Sequence, residues 1–189
     1  MTDGGGGTAT LRLFFALWPG EDVRDQLRHS TRKAVRASGG RPVDVRNLHV
    51  TLAFLGSVPC ADRERVEAAA GEVVLESFVV PLTELKYWPR TRVLVLAPTG
   101  ASEPLSALHS TLWDRLEAIG FAREHRPFRP HVTLARKVAS PGPLVLRAPI
   151  EWRVETFALV RSVTDPAGAR YQVLREWSLS AASADEPAQ

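Results

Sequence analysis

The chain has 189 residues, of which 44% are hydrophobic and 24% charged, with a formal net charge of +3; it allows one ordinary domain, or two small lobes, and excludes two large domains. A single cysteine, Cys60, excludes an internal disulfide and every multi-cysteine metal or iron–sulfur site. The longest apolar run near the start, residues 13–18, is far short of the roughly 20 residues a membrane span needs, so no membrane partner is expected and the expected location is the cytoplasm.

The first eight residues, with four glycines in a row, cannot bury apolar surface, and residues 181–189 read the same way, so both are expected to be disordered tails around one unit over residues 9–180. Residues 11–18 read as a strand that Pro19-Gly20 ends. A helix follows over residues 21–37, where Val23, Leu27, Thr31, Ala34 and Val35 share a face, and Gly39-Gly40 stops it. Residues 48–55 form a second strand, and residues 61–75 a helix with Val66, Ala69, Ala70 and Val73 turned inward. Residues 78–87 and 92–97 read as a strand pair joined through Pro89. A third helix starts at an N-cap Ser102, carries Pro104 in its first turn, and runs through Leu105, Leu108, Leu112, Leu116 and Ile119 to Gly120. Three more strands are expected at residues 131–138, 154–163 and 169–179. There is no regular strand–helix–strand repeat and no glycine fingerprint, which points to an α+β fold with mainly antiparallel sheets.

One repeat stands out. His49-Val50-Thr51-Leu52-Ala53 recurs as His131-Val132-Thr133-Leu134-Ala135, about half the folded body later, in a chain with only five histidines. Along a strand, His49 and Thr51 point one way and Val50 and Leu52 the other, and the second copy behaves identically. Two lobes related by an approximate two-fold axis bring the two His/Thr pairs together across a groove. A lone His-x-Thr is most often a polar surface pair; two copies at this spacing argue for chemistry.

Two imidazoles and two hydroxyls suit metal-free cleavage of a phosphodiester. One histidine takes a proton from the attacking oxygen and the other gives one to the leaving oxygen, while threonine hydroxyls bond the non-bridging oxygens. Neither copy has the His-x-His or His-Glu-x-x-His spacing of a metal site, so no metal is expected. Arg136 lies just after the second copy, but strict alternation aims it away from the groove unless the strand bulges there. Only three of the 24 basic residues are lysines. Arginine's fork suits phosphate contacts, although a GC-rich genome also writes arginine for lysine, so composition permits a nucleic-acid partner without requiring one.

At these residues the sequence resembles the 2H phosphoesterase superfamily and, within it, the bacterial RNA 2′,3′-cyclic phosphodiesterases, also called RNA 2′-5′ ligases. The resemblance runs from Leu11 to Leu179 and rests on residues 11–19, 47–56 and 126–136. It implies a bilobal pseudo-two-fold fold with helices on the outer faces and a central groove, no cofactor, and hydrolysis of RNA 2′,3′-cyclic phosphate ends to 2′-phosphates, with 2′-5′ ligation as the reverse direction. It assigns His49 as proton donor, His131 as proton acceptor, and Thr51, Thr133 and Arg136 as phosphate-binding. Phe54, Phe128 and Arg129 become candidate base or RNA contacts, although parity sends Phe54 to the core. His29 and His109 are expected exposed on helices, His125 lies in a basic loop, Trp88, Trp152 and Trp177 are expected core or half-buried, and Cys60 is expected buried. A small cyclic nucleotide or 2′-5′ oligoadenylate as substrate, and a non-catalytic nucleotide-binding module, stay open as alternatives. A monomer is expected.

Overall fold

Leu13, Phe15 and Leu17 alternate onto one face and are wholly buried, which makes the first strand, β1 (Thr10–Leu17), half of a packed sheet. The computed structural model describes residues 9–100, 102–165 and 168–181, so residues 1–8 and 182–189 of the expected tails lie outside the described residues. After β1 come α1 (Glu21–Ala37), β2 (Arg41–Pro42), β3 (Val50–Pro59), α2 (Arg63–Gly71), β4 (Phe78–Trp88), β5 (Val93–Pro98) and α3 (Glu103–Ala118). The chain ends with β6 (Val132–Arg136), β7 (Ile150–Val154), β8 (Thr156–Asp165) and β9 (Gly168–Ser178). Short 3-10 turns occupy Val45–Asn47 and Cys60–Asp62.

The helices follow their local chemistry. α1 carries Glu21 and Asp22 in its first turn and Arg36 in its last, matching the helix dipole, and buries Leu27, Thr31 and Ala34. The Thr31 hydroxyl returns to the Leu27 carbonyl at 2.7 Å, so its polar atom is satisfied inside the core. α3 buries Leu105, Leu108, Leu112, Trp113 and Leu116 and ends before Gly120, whose φ of 94° a side chain would resist. Ser102 holds the N-cap position, but its hydroxyl makes no capping bond. α2 is shorter than its sequence pattern, although Val66, Ala69, Ala70 and Val73 are buried as expected.

The strands form one sheet in the order β7-β4-β5-β6-β3-β1-β8-β9, with β2 beside β6. Pairings between named strands are antiparallel among the described residues. At the centre β3 and β6 meet in a single register pair, Val50 opposite Val132. That seam divides the sheet into β7-β4-β5-β6 and β3-β1-β8-β9. Each half contains a strand, a helix and a returning antiparallel strand: β1-α1-β3 in one, β5-α3-β6 in the other. α1 crosses the seam to pack on β6 and β7, and α3 packs on β3. The main core lies between helices and sheet and includes Leu27, Leu108 and Leu112 beside Phe15, Val50, Leu52, Val132 and Leu134. The opposite sheet face bears the smaller cluster of Phe14, Ala16, Ala158 and Val160 and carries the groove.

The strand expected at residues 154–163 is β8, shifted by two residues, and β7 just before it was not expected. Glu155 separates β7, which pairs with β4, from β8, which pairs with β1 and β9. Since β7 and β9 end the strand order, the sheet curls until its edges adjoin. Ser77 N–H donates to the Ser180 carbonyl at 2.8 Å, and Ser180 N–H to that of Leu75 at 2.9 Å. Cys60, expected buried, is exposed because β3 runs on past Leu55 and delivers it to the turn at the strand's outer end. No helix among the described residues is long and apolar enough to cross a membrane.

Gly40 lies where β2 joins the motif strand. A Cβ there would sit 2.9 Å from Val138 Cγ2 and 3.0 Å from the Arg136 carbonyl oxygen, and Val138 is wholly buried. Gly40→Ala is expected to destabilise the fold by about 1–3 kcal/mol, as overpacked sites do, measured by urea unfolding; an unchanged midpoint would show slack between β2 and β6.

Candidate active site

The repeat contains a β-bulge as well as five shared residues. In β3, Ala16 pairs with Thr51 and Phe15 with Ala53, which leaves Leu52 as an extra residue. In β6, Val95 pairs with Thr133 and Leu94 with Ala135, which leaves Leu134 extra. Alternation therefore breaks at the same place in both copies, and Leu52-Ala53 and Leu134-Ala135 are each buried in succession. The next residue in each strand returns to the groove face. For Arg136 that meets the condition a phosphate contact requires. For Phe54 it overturns the parity reading: the ring is 38% exposed and lines the groove.

Around the Val50–Val132 pair, the antiparallel register sets His49 beside Thr133 and Thr51 beside His131. Both imidazoles are anchored alike. His49 Nδ1 lies 2.7 Å from the Asn47 carbonyl, and His131 Nδ1 lies 2.7 Å from the Arg129 carbonyl. A carbonyl oxygen only accepts, so each Nδ1 carries the proton and each Nε2 is left for the groove. The Thr51 hydroxyl is 3.1 Å from His49 Nε2 and can donate to it. Asn47 also reaches β9, its Nδ2 donating to the Ala169 carbonyl at 3.0 Å.

Aromatic rings close in on both histidines. Trp18 stacks on His49 at 5.4 Å, with Phe14 at 5.1 Å and the edge of Tyr171 at 5.3 Å; Trp88 meets His131 edge-on at 4.5 Å. Burial pushes the His49 imidazole down to about 4, the Asn47 carbonyl opposing and the charges of His131 and Arg136 assisting. His131 is lowered by burial too, with the Arg129 carbonyl opposing and Arg136 assisting. Both rings are accordingly neutral near pH 7 in the free protein.

Two cavities, of about 280 Å³ and about 650 Å³, share His49, Thr133, Arg136 and Tyr171 and so form one groove. The smaller adds Thr51, Phe54, Trp88 and His131. Phe128 and Arg129 line neither. Phe128 stacks on His109 with centroids 4.0 Å apart, which makes His109 half-buried where exposure was expected, and Arg129 meets the site through its carbonyl. Sequence reading missed Trp18, Trp88 and Tyr171. Trp18 follows β1 directly, beyond the strand's alternation, so its side is not set by parity, and Trp88 and Tyr171 arrive from strands far away in sequence. Among the described residues no three His, Cys, Asp or Glu side chains gather where a metal could be held.

The sequence pattern of the 2′-5′ RNA ligase superfamily matches residues 21–166. The chain belongs to that superfamily. It is 32% identical over 171 residues to an RNA 2′,3′-cyclic phosphodiesterase of Escherichia coli, covering 89% of this chain and 97% of that protein. A Thermus thermophilus protein of the same name is 34% identical over 190 residues, covering 95% and 96%. The crystal structure of E. coli LigT complexed with 3′-AMP superposes with a TM-score of 0.81 at 32% identity, covering 90% of this chain and 99% of that one. In this 2′-5′ RNA ligase superfamily member, the repeated strand and its bulge place the two histidines at the sheet's central seam.

The half-buried His49 makes stability depend on pH. Its value in the fold, about 4, lies below the ordinary 6.5, so between those values the unfolded chain binds a proton that the folded one refuses. Stability is then complete above pH 6.5 and falls as pH drops toward 4, by about 3 kcal/mol for this group. Urea unfolding across that range is expected to show the loss, and His49→Gln to flatten much of it.

Proposed function

We propose that this chain hydrolyses the 2′,3′-cyclic phosphate at RNA 3′ ends to a 2′-phosphate without a metal, residues 9–180 acting as one bilobal unit. One observation carries the reading: two imidazoles with Nδ1 anchored and Nε2 left for the groove, held in one chain beside Thr51, Thr133 and Arg136. Its relatives' name supports the substrate. Since a single chain supplies both histidines, the groove is complete in a monomer.

Water attacks phosphorus and its proton passes to His131 Nε2. The bond from phosphorus to the 3′ oxygen breaks, and that oxygen takes the proton of His49 Nε2, leaving the phosphate on the 2′ oxygen. Thr51 and Thr133 hydroxyls and the Arg136 guanidinium steady the charge that grows on the non-bridging oxygens. A 5′-hydroxyl in place of water yields a 2′-5′ linkage, which accounts for the ligase in the superfamily's name. The acid must be protonated, yet the free His49 is neutral at pH 7. The negative phosphodiester supplies the missing driving force by raising the value of the ring it contacts.

General acid or base participation contributes about 10²- to 10⁴-fold, so His49→Ala and His131→Ala are each expected to lose that much, and the double variant little more because the pair acts as a unit. Product should carry a 2′-phosphate and turnover should survive EDTA. Mainly 3′-phosphate product would reverse the substrate's orientation between the histidines, and loss to chelation with rescue by a divalent ion would overturn the mechanism.

The lowered histidines also set the pH profile. Because kcat/KM reports the free enzyme and kcat the complex, the kcat/KM optimum should lie below pH 6.5, with kcat limbs displaced upward by the bound phosphate. His131→Ala should remove the acidic limb and His49→Ala the basic one; the opposite pattern exchanges their roles.

A further inference from the structure

The larger cavity extends well beyond what one phosphate needs. It measures about 650 Å³, within the range that encloses a drug-sized ligand. Its walls are the segment of residues 41–47 on one side and the start of β9 on the other, tied together by the Asn47–Ala169 hydrogen bond. Its charge is lopsided: Arg41, Arg46, Arg136, Lys137 and Arg170 line it against one carboxylate, Asp44. Asp44 grips Arg46 through two bonds of 2.7 and 3.1 Å and holds that guanidinium at the rim. Lys137 sits directly after Arg136 with φ of 54°, a left-handed backbone that a side-chain-bearing residue adopts at a cost. The other end of the groove is aromatic, with Phe14, Phe54 and Trp88, and has Arg12 at its edge.

We propose that this basic end is the seat of the RNA strand running 5′ from the cyclic phosphate, and that it makes the protein selective for polynucleotide ends over cyclic mononucleotides. The inference rests on the function proposed above. There the leaving 3′ oxygen faces His49, so the terminal ribose lies on the His49 side of the phosphate and the attacking water on the His131 side. The larger cavity includes His49 and Thr133 but neither His131 nor Thr51, so the ribose side of the reaction opens into the basic end. The next phosphates of the strand leave the ribose through its 5′ carbon and enter a wall of guanidinium and ammonium groups. A cyclic mononucleotide without a 5′ phosphate has nothing to place there.

The test compares a nucleoside 2′,3′-cyclic monophosphate with a six-nucleotide RNA ending in a cyclic phosphate. For the wild type, kcat/KM on the oligonucleotide should exceed that on the mononucleotide and fall more steeply with salt. The double variant Arg46→Ala/Lys137→Ala is expected to cut the oligonucleotide-to-mononucleotide ratio about tenfold, mainly through KM, and to make the logarithmic salt slope shallower by about 1.4, two single-strand phosphate contacts' worth. Arg32→Ala on the exposed face of α1 sets the effect of losing a remote charge. Asp44→Asn, which keeps the side-chain oxygen that accepts from the Arg46 backbone N–H at 2.9 Å but removes the carboxylate charge, should raise the ratio. Mononucleotide turnover by each variant reports that the site is folded. Equal losses on both substrates, or a wild type with no oligonucleotide preference, overturns the strand site while leaving the hydrolytic reading intact; failure of the wild type on both substrates overturns that reading and this one with it.

Discussion

Val50 and Val132 form the one register pair between β3 and β6, and the groove inherits its geometry from that contact. Both valines are wholly buried against the helix-covered face, so the residues on either side of each must point the other way. That constraint sets His49 beside Thr133 and Thr51 beside His131. A one-residue slip would send every one of these side chains to the wrong face. The core therefore pins the register that the chemistry uses.

The bulges in the two motif strands extend the same logic. Each lets two successive apolar residues enter the core, Leu52-Ala53 and Leu134-Ala135, and so returns the following side chain to the groove. The halves diverge at that position. One presents Phe54 and the other Arg136, so an approximately symmetric scaffold carries an asymmetric site, with an apolar surface at one place and a cation at its counterpart. The sheet edges, adjoining through Ser77 and Ser180, hold the curl that brings β9 and its Tyr171 over His49.

Around the histidines, burial and polarity act against each other. Aromatic neighbours and the Arg136 charge favour neutral rings, while the Asn47 and Arg129 carbonyls fix the tautomer and favour protonation. The balance leaves the proton inventory to be set by the substrate's own charge. An anion entering this groove raises the histidines that it touches, which couples protonation to binding without any moving part.

Much of this was legible beforehand because it depends on local periodicity. The span of α1, the inward faces of α2 and α3, the antiparallel α+β class and the duplicated His-x-Thr followed from spacing in the sequence, and the superfamily resemblance from the motif residues at 11–19, 47–56 and 126–136. What required the tertiary structure were the places where alternation breaks or where distant segments meet. A bulge is one extra residue whose presence depends on the partner strand's register, so the groove-facing positions of Arg136 and Phe54 were beyond parity. The break at Glu155 was hidden because the buried Val154 and Phe157 on either side of it give no local turn signal, although the strands they belong to pair with opposite ends of the sheet. Trp18, Trp88 and Tyr171 became site residues only when the sheet curled, because an aromatic side chain has the same composition signature in a core as on a groove wall. The sequence by itself determined which atoms could do proton transfer; the curl and the bulges decided which surfaces face them.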